Sequence, residues 1–346
     1  MKNSRALLAT LLLWAAGLLL MSLAGDPNSI TPKQVAWKTP KGFPPPVYRF
    51  KDNPLSPAGF VLGRALFYDP LLSRDSTISC ATCHQAFAAF AHIDHPLSHG
   101  IEGRIGTRNV PPLQNLMWSN HFMWDGGVNH LEIQPLNPLT HPDEMNETLP
   151  RLLAKLQQSP RYPALFAAAY GDTAIRTERV LKALAQFTGL LISANAKYDQ
   201  YLRHEVKLSQ QEQQGLRLFE QKCSSCHPAP LFTTRGFASN GLPPDSLLRD
   251  TGRQKISGRP EDLYQFSIPS LRNVEVTYPY MHDGRMARLW QVLGHYSRLA
   301  TDTTLTDARL RAIGPLSANE QVDLLAFLRT LTDRSFLTDK RFVVYP

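Results

Sequence analysis

The sequence predicts a mainly α-helical protein built as two similar units with long irregular loops. Three observations lead to this fold class. The motif Cys-x-x-Cys-His occurs twice, at residues 80–84 and 223–227. Apolar residues at helical spacing precede the first copy, and a capping box opens a helix that ends near the second. Finally, 27 prolines and 20 glycines among 346 residues indicate long ordered loops.

The repeated motif is the attachment signature of a c-type haem. Two cysteines separated by two residues can lie on one short turn, so both thiols can reach the vinyl groups of one porphyrin. The histidine that follows then offers a ring nitrogen to the iron. A structural zinc site or a pair of disulfides is the alternative. The predicted attachment residues of two covalently bound haems c are Cys80, Cys83 and His84 for the first and Cys223, Cys226 and His227 for the second.

The formal net charge of the chain is +8, but its lysines and arginines form no dense run and no stripe with aromatic residues. Nucleic acid is therefore not an expected partner. A mild basic excess suits an acidic electron-donor protein, although it is also a common property of protein surfaces.

Residues 1–25 are expected to be a signal peptide or an N-terminal anchor. Lys2 and Arg5 form a charged start, an apolar run follows from Ala6 to Leu23, and Ser22-Leu23-Ala24 supplies small residues for cleavage. The apolar run is close to the roughly 18 residues that span a bilayer, so cleavage and anchoring both stay open. In either case the body of the protein is expected outside the cytoplasm.

The rest of the chain divides into three predicted parts. Residues 26–54 form a proline-rich arm, residues 55–204 an N-terminal haem domain, and residues 205–346 a C-terminal haem domain. The first domain should open with a helix from Pro57 to Tyr68, and a long loop from Phe87 to Asn115 should cover the first haem.

Further helices are predicted from apolar spacing and from start signals. Leu149 to Tyr170 and Thr177 to Leu202 have helical periodicity. Capping boxes at Ser209–Glu212 and Ser317–Glu320 open two more helices, and the second of these should be the last helix, ending near Leu331. Both predicted domains therefore resemble a cytochrome c in plan.

Six motifs in order resemble those of the bacterial di-haem cytochrome c peroxidases and their MauG-type relatives. The resemblance covers about Leu55 to Thr332. The motifs are LGRALFYDPLLSRDSTISCATCH (62–84), RNVPPLQN (108–115), FMWDGG (122–127), LEIQPLNPLTHPDEM (131–145), FEQKCSSCH (219–227) and IPSLRNVEVTYPYMHDG (268–284).

The resemblance implies catalytic residues around the first haem. Glu144 matches the family's catalytic glutamate, Gln134 its neighbour in the distal pocket, and Pro138 a proline over the haem. A partly desolvated carboxylate has a raised pKa and can shuttle a proton between two oxygens. Trp124 matches the tryptophan between the two haems. Without the resemblance, Glu144 would be interpreted as a carboxylate at a helix N-terminus and Trp124 as an aromatic residue of the core.

A histidine on the loop after the first haem blocks the iron in many di-haem peroxidases. His99 lies near the corresponding place, although the loop is about two residues longer before Asn109. His92 and His95 compete for this role. MauG-type members lack the blocking ligand. If this chain lacks it too, His99 is an ordinary solvated loop residue.

Tyr296 stands where ordinary peroxidases of this family have a methionine ligand of the second haem. This is the MauG pattern, and a phenolate ligand should lower the potential of that haem. His295, Met281 and Met286 remain alternative ligands. His295 is expected to point about 100° away from Tyr296 around the helix axis.

The resemblance also implies a calcium ion between the two domains. Its protein ligands match the Asn109 side chain and the carbonyls of Thr277 and Pro279. These are hard oxygen donors, as calcium requires. Asn109 could equally be a turn residue.

The expected function is that of a periplasmic cytochrome-c peroxidase-type oxidoreductase. Hydrogen peroxide would be reduced to water at the first haem, with electrons passed through the second haem from a small donor protein such as a cytochrome c or a cupredoxin. A MauG-like oxidase that acts on a partner protein by long-range electron transfer is a second hypothesis, and a non-catalytic electron carrier is a third. Family members are often homodimers.

Overall fold

The structure, a computed structural model, describes residues 37–299 and 307–343. The predicted signal peptide or anchor at residues 1–25 lies outside these ranges. The described chain is mainly helical, as predicted. Within these two ranges, no helix combines the length and the apolar character that a bilayer span requires.

The α-helices of the described residues are α1 (Pro57–Tyr68), α2 (Cys80–Cys83), α3 (Leu136–Thr140), α4 (Leu149–Gln158), α5 (Tyr162–Tyr170), α6 (Thr177–Gly189), α7 (Lys197–Leu202), α8 (Gln210–Lys222), α9 (Gln254–Ser257), α10 (Leu289–Leu299), α11 (Ala318–Arg329) and α12 (Arg334–Leu337). Short 3-10 helices are Pro70–Leu72, Ala86–Ala88, Ile101–Gly103, Leu116–Trp118, Pro260–Asp262, Ala308–Ala312 and Lys340–Phe342. Strands β1 (Phe237–Ala238) and β2 (Phe266–Ser267) form one antiparallel pair.

Helix α1 has the predicted bounds. Its N-cap is Ser56, whose hydroxyl accepts a hydrogen bond from the Gly59 N–H at 2.9 Å, and Pro57 occupies the first helical position. The helix packs on α6 through Gly63, where an added Cβ would lie 1.9 Å from the Ala183 carbonyl oxygen. The close approach of the two backbones therefore requires glycine.

The second half of the chain repeats this crossing. Helix α8 begins after Ser209 with the predicted capping box and ends at Lys222, directly before Cys223. It packs on α11 through Gly215, whose added Cβ would lie 1.9 Å from the Asp323 carbonyl oxygen. Each haem-attachment motif therefore follows a helix that is locked by a glycine contact to a later helix.

Two predicted helices are each divided in the structure. The segment 149–170 breaks between α4 and α5 at Pro160, because a proline inside a helix removes a hydrogen bond and clashes with the preceding turn. The segment 177–202 breaks between α6 and α7, where Asn115 accepts a hydrogen bond from the Ser193 N–H and donates one to its carbonyl. These bonds to a distant loop replace the helical ones.

The end of the chain also differs from the prediction. Helix α11 begins after Ser317 with the predicted capping box but ends at Arg329, with Thr330 as its C-cap. A further turn, α12, follows because the Asp333 carboxylate accepts a hydrogen bond from the Phe336 N–H at 3.0 Å. Helix α11 is therefore not the last helix.

The buried apolar residues form two separate clusters. The first runs from Phe43 to Leu191 and also takes in Leu231, Phe336 and Phe342, and the second runs from Tyr198 to Leu331. The C-terminal end of the chain thus returns to the first cluster. A domain boundary near residue 205 stays a prediction.

The described part of the proline-rich arm packs against the first cluster. The Val47 and Tyr48 N–H groups both donate to the Met117 carbonyl at 3.0 Å. Arg272 joins this arm to the second cluster, because its guanidinium lies 4.7 Å from the ring centroid of Phe43 while it forms a buried two-point ion pair with Asp199.

Candidate functional site

The first attachment motif occupies the single-turn helix α2, which holds both cysteines on one short turn as predicted. The Nδ1 of His84 donates to the Phe90 carbonyl at 2.7 Å, since a carbonyl can only accept. This bond leaves Nε2 as the nitrogen for an iron. Burial lowers the pKa of His84 to about 4, so the ring is neutral at pH 7, as a ligand must be.

The second motif has the same arrangement. The Nδ1 of His227 donates to the Phe232 carbonyl at 3.0 Å, and burial lowers the pKa of His227 to about 4. Burial raises the pKa of Cys223 to about 12, as it does for Cys80. All four cysteines are free of disulfides, and no group of three or more His, Cys, Asp or Glu side chains in the described residues could hold a metal. The zinc and disulfide hypotheses therefore lack support.

A cavity of about 200 Å³ lies against the second motif. Cys223, Cys226 and His227 line it, and so do Tyr296 and Met281. Both thiols and the histidine of the motif line this mainly apolar cavity, so it presents the side chains that would hold a haem. His295 and Met286 are not among its lining residues.

His295 is held away from this cavity. The residue is 8% exposed, and its Nε2 donates to the Asn240 carbonyl at 3.0 Å. Tyr296, one residue on, faces the cavity, and burial raises its pKa to about 12. This placement agrees with the turn of about 100° between adjacent helical residues.

Glu144 lies beside the first motif. Burial raises the pKa of the Glu144 carboxyl. Burial is also the main cause of the raised pKa values of Cys80 and Cys83, and the negative charge of Glu144 raises both further. The fold therefore brings a partly desolvated carboxylate from residue 144 to the cysteines near residue 80. This is the environment that a proton-transfer group requires.

The turn that carries Glu144 is fixed from two sides. The Met145 N–H donates to the Pro138 carbonyl at 3.1 Å, which folds the turn back onto α3. The Ile101 N–H donates to the Glu144 carbonyl at 3.0 Å. Gln134 lies directly before Pro135, the N-cap of α3, so the three predicted distal residues belong to one helix and its two flanking turns.

Replacing Gly100 by alanine should displace Glu144. An added Cβ would lie 2.2 Å from the Asp143 carbonyl oxygen and 2.7 Å from that of Glu144. Both are backbone atoms, so the backbone itself would have to move to relieve the clash. We expect a loss of stability of about 1–3 kcal/mol and a slower reaction with peroxide. Chemical denaturation and stopped-flow mixing would measure the two effects.

Gly294→Ala is the matched control, because a Cβ there meets only the Arg298 side-chain end at 3.5 Å. A Gly100→Ala protein with the stability and peroxide reactivity of the wild type would show that the loop does not support Glu144.

Trp124 is held between the two halves of the chain. Its indole Nε1 donates to the Asn109 carbonyl at 2.8 Å, and its own carbonyl accepts from the Ser267 N–H at 2.7 Å. It also lines the cavity of the second motif. The Asn109 N–H donates to the His282 carbonyl at 2.7 Å. These contacts join residues 109 and 124 of the first half of the chain to residues 267 and 282 of the second half, and we call this region the seam. Trp124 therefore lies where an aromatic residue between the two haems is predicted.

Arg108 ties the same seam by charge. Its guanidinium bonds Asp125 at 2.6 Å and forms a two-point pair with Asp250 at 2.6 and 2.8 Å. Burial by itself would raise the pKa of Asp250, but the hydrogen bonds and charge of Arg108 outweigh it and lower that pKa.

The three predicted calcium ligands belong to the lining of a single cavity. Asn109, Thr277 and Pro279 all line the cavity of the second motif. The Asn109 Nδ2 donates to the Pro96 carbonyl at 2.9 Å, which leaves its Oδ1 as the donor atom for a cation. Calcium binding stays a prediction.

His99 belongs to a row of three histidines. Its ring centroid lies 4.1 Å from that of His95, which stacks on His92 at 5.4 Å. The His99 carbonyl accepts from the Cys83 thiol at 3.5 Å, so the loop runs beside the first motif. A role for any of the three as an iron ligand stays a prediction.

Arg235 is a candidate haem contact that the sequence pattern did not reveal. It donates to the Asn115 carbonyl and the Ser119 hydroxyl, its Nε is buried without a hydrogen-bond partner, and burial lowers its pKa to about 10. No carboxylate of the described residues pairs with it. A haem propionate is an anion that would satisfy such a group. No motif surrounds Arg235, so no local signal could have indicated it.

Residues 57–207 match the family model described as di-haem cytochrome c peroxidase. The methylamine utilization protein MauG of Methylorubrum extorquens is 35% identical over 309 residues, which are 85% of this chain and 83% of that protein. The chain belongs to the di-haem cytochrome c peroxidase and MauG family. Two haems c are therefore its expected cofactors, and the paired attachment motifs provide for both.

Both branches of the family contain relatives of this chain. The cytochrome c551 peroxidase of Nitrosomonas europaea is 30% identical over 276 residues, 78% of this chain and 79% of the relative. A solved MauG-like protein associated with microbial copper homeostasis superposes with a TM-score of 0.80 at 32% identity, covering 90% of this chain and 99% of that one. The predicted mainly α-helical di-haem fold is confirmed.

Proposed function

We propose that this protein is a periplasmic di-haem peroxidase that reduces hydrogen peroxide to water at its first haem. The observation that carries the proposal is the half-buried, partly desolvated carboxyl of Glu144 beside the first attachment motif. An electron carrier needs no acid–base group next to its haem, so this residue argues against a purely electron-transferring role.

A bound haem supplies the iron that exchanges electrons with peroxide. Glu144 would take a proton from the oxygen nearer the iron and return it to the outer oxygen, so that the outer oxygen leaves as water. Gln134 would hold the peroxide by an amide hydrogen bond, and Pro138 would restrict the space available to peroxide beside the haem. The raised pKa of Glu144 suits both accepting and donating the proton.

Trp124 would carry electrons between the two haem sites. Support comes from its fixed position, with the indole bonded to the Asn109 carbonyl and the backbone bonded to β2. A calcium ion on Asn109, Thr277 and Pro279 would hold the same seam. The electrons would come from a small acidic donor protein, a cytochrome c or a cupredoxin, to which a chain of charge +8 is attracted.

A MauG-like oxidase is the second candidate, and Tyr296 favours it. A phenolate stabilises oxidised iron, so the second haem would hold an oxidising equivalent and withdraw electrons from a partner protein. The orientation of Tyr296 into the cavity supports this candidate. So does the similarity to proteins named MauG and MauG-like.

Low-temperature EPR of the ferric protein before and after peroxide tests the proposal. We expect a high-spin first haem that reacts with peroxide, and a low-spin second haem whose signal changes in Tyr296→Met. Tyr280→Phe is the matched control, because Tyr280 lines the same cavity but donates its hydroxyl to the Val274 carbonyl at 2.8 Å. A first haem that never reacts with peroxide would overturn the proposal.

Turnover with a reduced donor separates the two candidates. A peroxidase consumes peroxide continuously with reduced cytochrome c or cupredoxin, and Trp124→Phe should slow this turnover. Tyr296→Met should speed it, because a thioether raises the potential of the second haem. Wild-type protein that reacts with peroxide but accepts no electrons from such donors would favour the oxidase.

A further inference from the structure

Asn240 contacts three of the four side chains that could complete the second haem. Its Oδ1 accepts from the Leu242 N–H at 3.1 Å, which fixes the orientation of the amide. Its Nδ2 donates to the Met281 sulfur at 3.3 Å, and its side chain lies close enough to Tyr296 to favour the ionised phenol and so oppose the rise in the Tyr296 pKa that burial causes. Its carbonyl accepts from the Nε2 of His295 at 3.0 Å.

The bond to His295 removes that ring as a ligand through its outer nitrogen. A carbonyl oxygen can only accept, so the Nε2 of His295 carries the proton and has no lone pair for a metal. The ring is buried in this position. His295 is therefore held out of the cavity by the backbone of Asn240, independently of the Asn240 side chain.

The bond to Met281 restrains the sulfur that would otherwise compete for the iron. A thioether is a weak acceptor, and an amide N–H directed at it occupies one of its lone pairs. The backbone of Met281 is also fixed, with φ +76° and a carbonyl that accepts from the Gly284 N–H at 3.2 Å. Met281 lines the cavity, and the Asn240 amide restrains its sulfur there.

The Asn240 amide has the opposite effect on Tyr296, which lines the same cavity. A hydrogen bond from an amide N–H is stronger when the accepting oxygen is negatively charged. The oxygen of an iron-bound tyrosine carries negative charge, so the amide would stabilise this form. Asn240 and Tyr296 line the same cavity, with the amide orientation set by Leu242. The amide therefore favours oxygen ligation while it restrains the sulfur.

We propose that Asn240 selects the axial ligand of the second haem, as a positioning residue that directs Tyr296 to the iron and keeps Met281 from it. This inference rests on the proposed tyrosine ligation. It adds that the presence of a tyrosine at residue 296 is insufficient without the amide of Asn240.

The test compares wild-type protein with Asn240→Leu and Asn240→Asp by EPR, optical spectroscopy and redox titration. In Asn240→Leu we expect loss of the tyrosine-ligated signal, a far-red charge-transfer band from sulfur to ferric iron, and a rise in the potential of the second haem. The sulfur band should be absent from the double variant Asn240→Leu/Met281→Leu, which identifies Met281 as its source.

Asn240→Asp keeps the shape and the bond from the Leu242 N–H but replaces the donor by an acceptor. It should lose the tyrosine signal as well, and it decides the question if Asn240→Leu fails to fold. Asn195→Asp is the control, since Asn195 is exposed and does not line the cavity. Its spectra should match those of the wild type.

The outcomes separate the inference from the proposal beneath it. If Tyr296→Met alters the second haem but both Asn240 variants keep the tyrosine signal and the potential, the ligation stands and the selecting role of Asn240 is wrong. If Tyr296→Met leaves the second haem unchanged, the tyrosine ligation itself is wrong and the inference falls with it.

Discussion

Replacing Glu144 by glutamine should slow the reaction of the ferric protein with peroxide by about 10²- to 10⁴-fold, the usual contribution of a positioned acid–base group. Glutamine keeps the size of the side chain but cannot accept and return a proton. Burial beside the first attachment motif is what prepares the carboxyl for this role. Stopped-flow mixing with hydrogen peroxide measures the rate, while haem content and the spectrum of the second haem should stay unchanged.

Asp143→Asn is the matched control, because it neutralises the neighbouring carboxylate in the same turn. Its rate at neutral pH should stay close to that of the wild type. A Glu144→Gln protein that reacts as fast as the wild type would contradict a proton-transfer role for this residue.

The pH dependence follows from the same carboxyl. The ionised form accepts the proton from peroxide, so the rate should fall as the pH drops through the pKa of Glu144. Because burial raises that pKa, the fall should begin at a higher pH than for an exposed glutamate, whose pKa is about 4.3. The charge of Asp143 raises it further, so Asp143→Asn should move the fall to lower pH.

The parts of this structure that the sequence predicts depend on neighbours along the chain. The cysteines and histidine of each motif are within five residues of one another, and α2 holds the first set on one turn. The boxes at Ser209 and Ser317 join residues three apart, and both begin helices as predicted. Local chemistry decides these features, so a single sequence suffices.

The features that the sequence did not reveal depend on residues far apart in the chain. Asn240 reaches Met281 across 41 positions, and Arg235 reaches Ser119 across 116. The predicted helix at 177–202 was divided by bonds from Asn115, 78 positions away from Ser193. Only the family resemblance predicts a role for Glu144, since its own motif is that of an ordinary helix start.

Replacing Arg108 by methionine should lower the free energy of unfolding by about 3–5 kcal/mol, the usual effect of removing one partner from a buried ion pair. The carboxylates of Asp125 and Asp250 would remain, with side chains only 11% and 6% exposed. Two buried like charges without a counter-ion cost more than the original pairs contributed. Chemical denaturation followed by circular dichroism measures the loss.

The loss should depend on pH and on the two aspartates. Arg108 lowers the pKa of Asp250, so its stabilising effect is present at neutral pH and disappears as the pH falls through that lowered pKa. The triple variant Arg108→Met/Asp125→Asn/Asp250→Asn should recover much of the stability, because no charge is left unpaired. Arg104→Met removes an exposed pair with Glu102 and one hydrogen bond to the Pro142 carbonyl, and it should have a much smaller effect.

The same substitution should weaken the link between the haem sites. Arg108 immediately precedes Asn109, whose carbonyl holds the Trp124 indole and whose N–H bonds the His282 carbonyl. Without the ion pairs of Arg108, the segment 108–109 is held less firmly and no longer aligns Trp124. Electron transfer between the haems should therefore slow, and stability should fall at the same time. If the triple variant regains stability but not the electron-transfer rate, Arg108 positions Trp124 directly. If both return, the unpaired charges alone disturbed the seam.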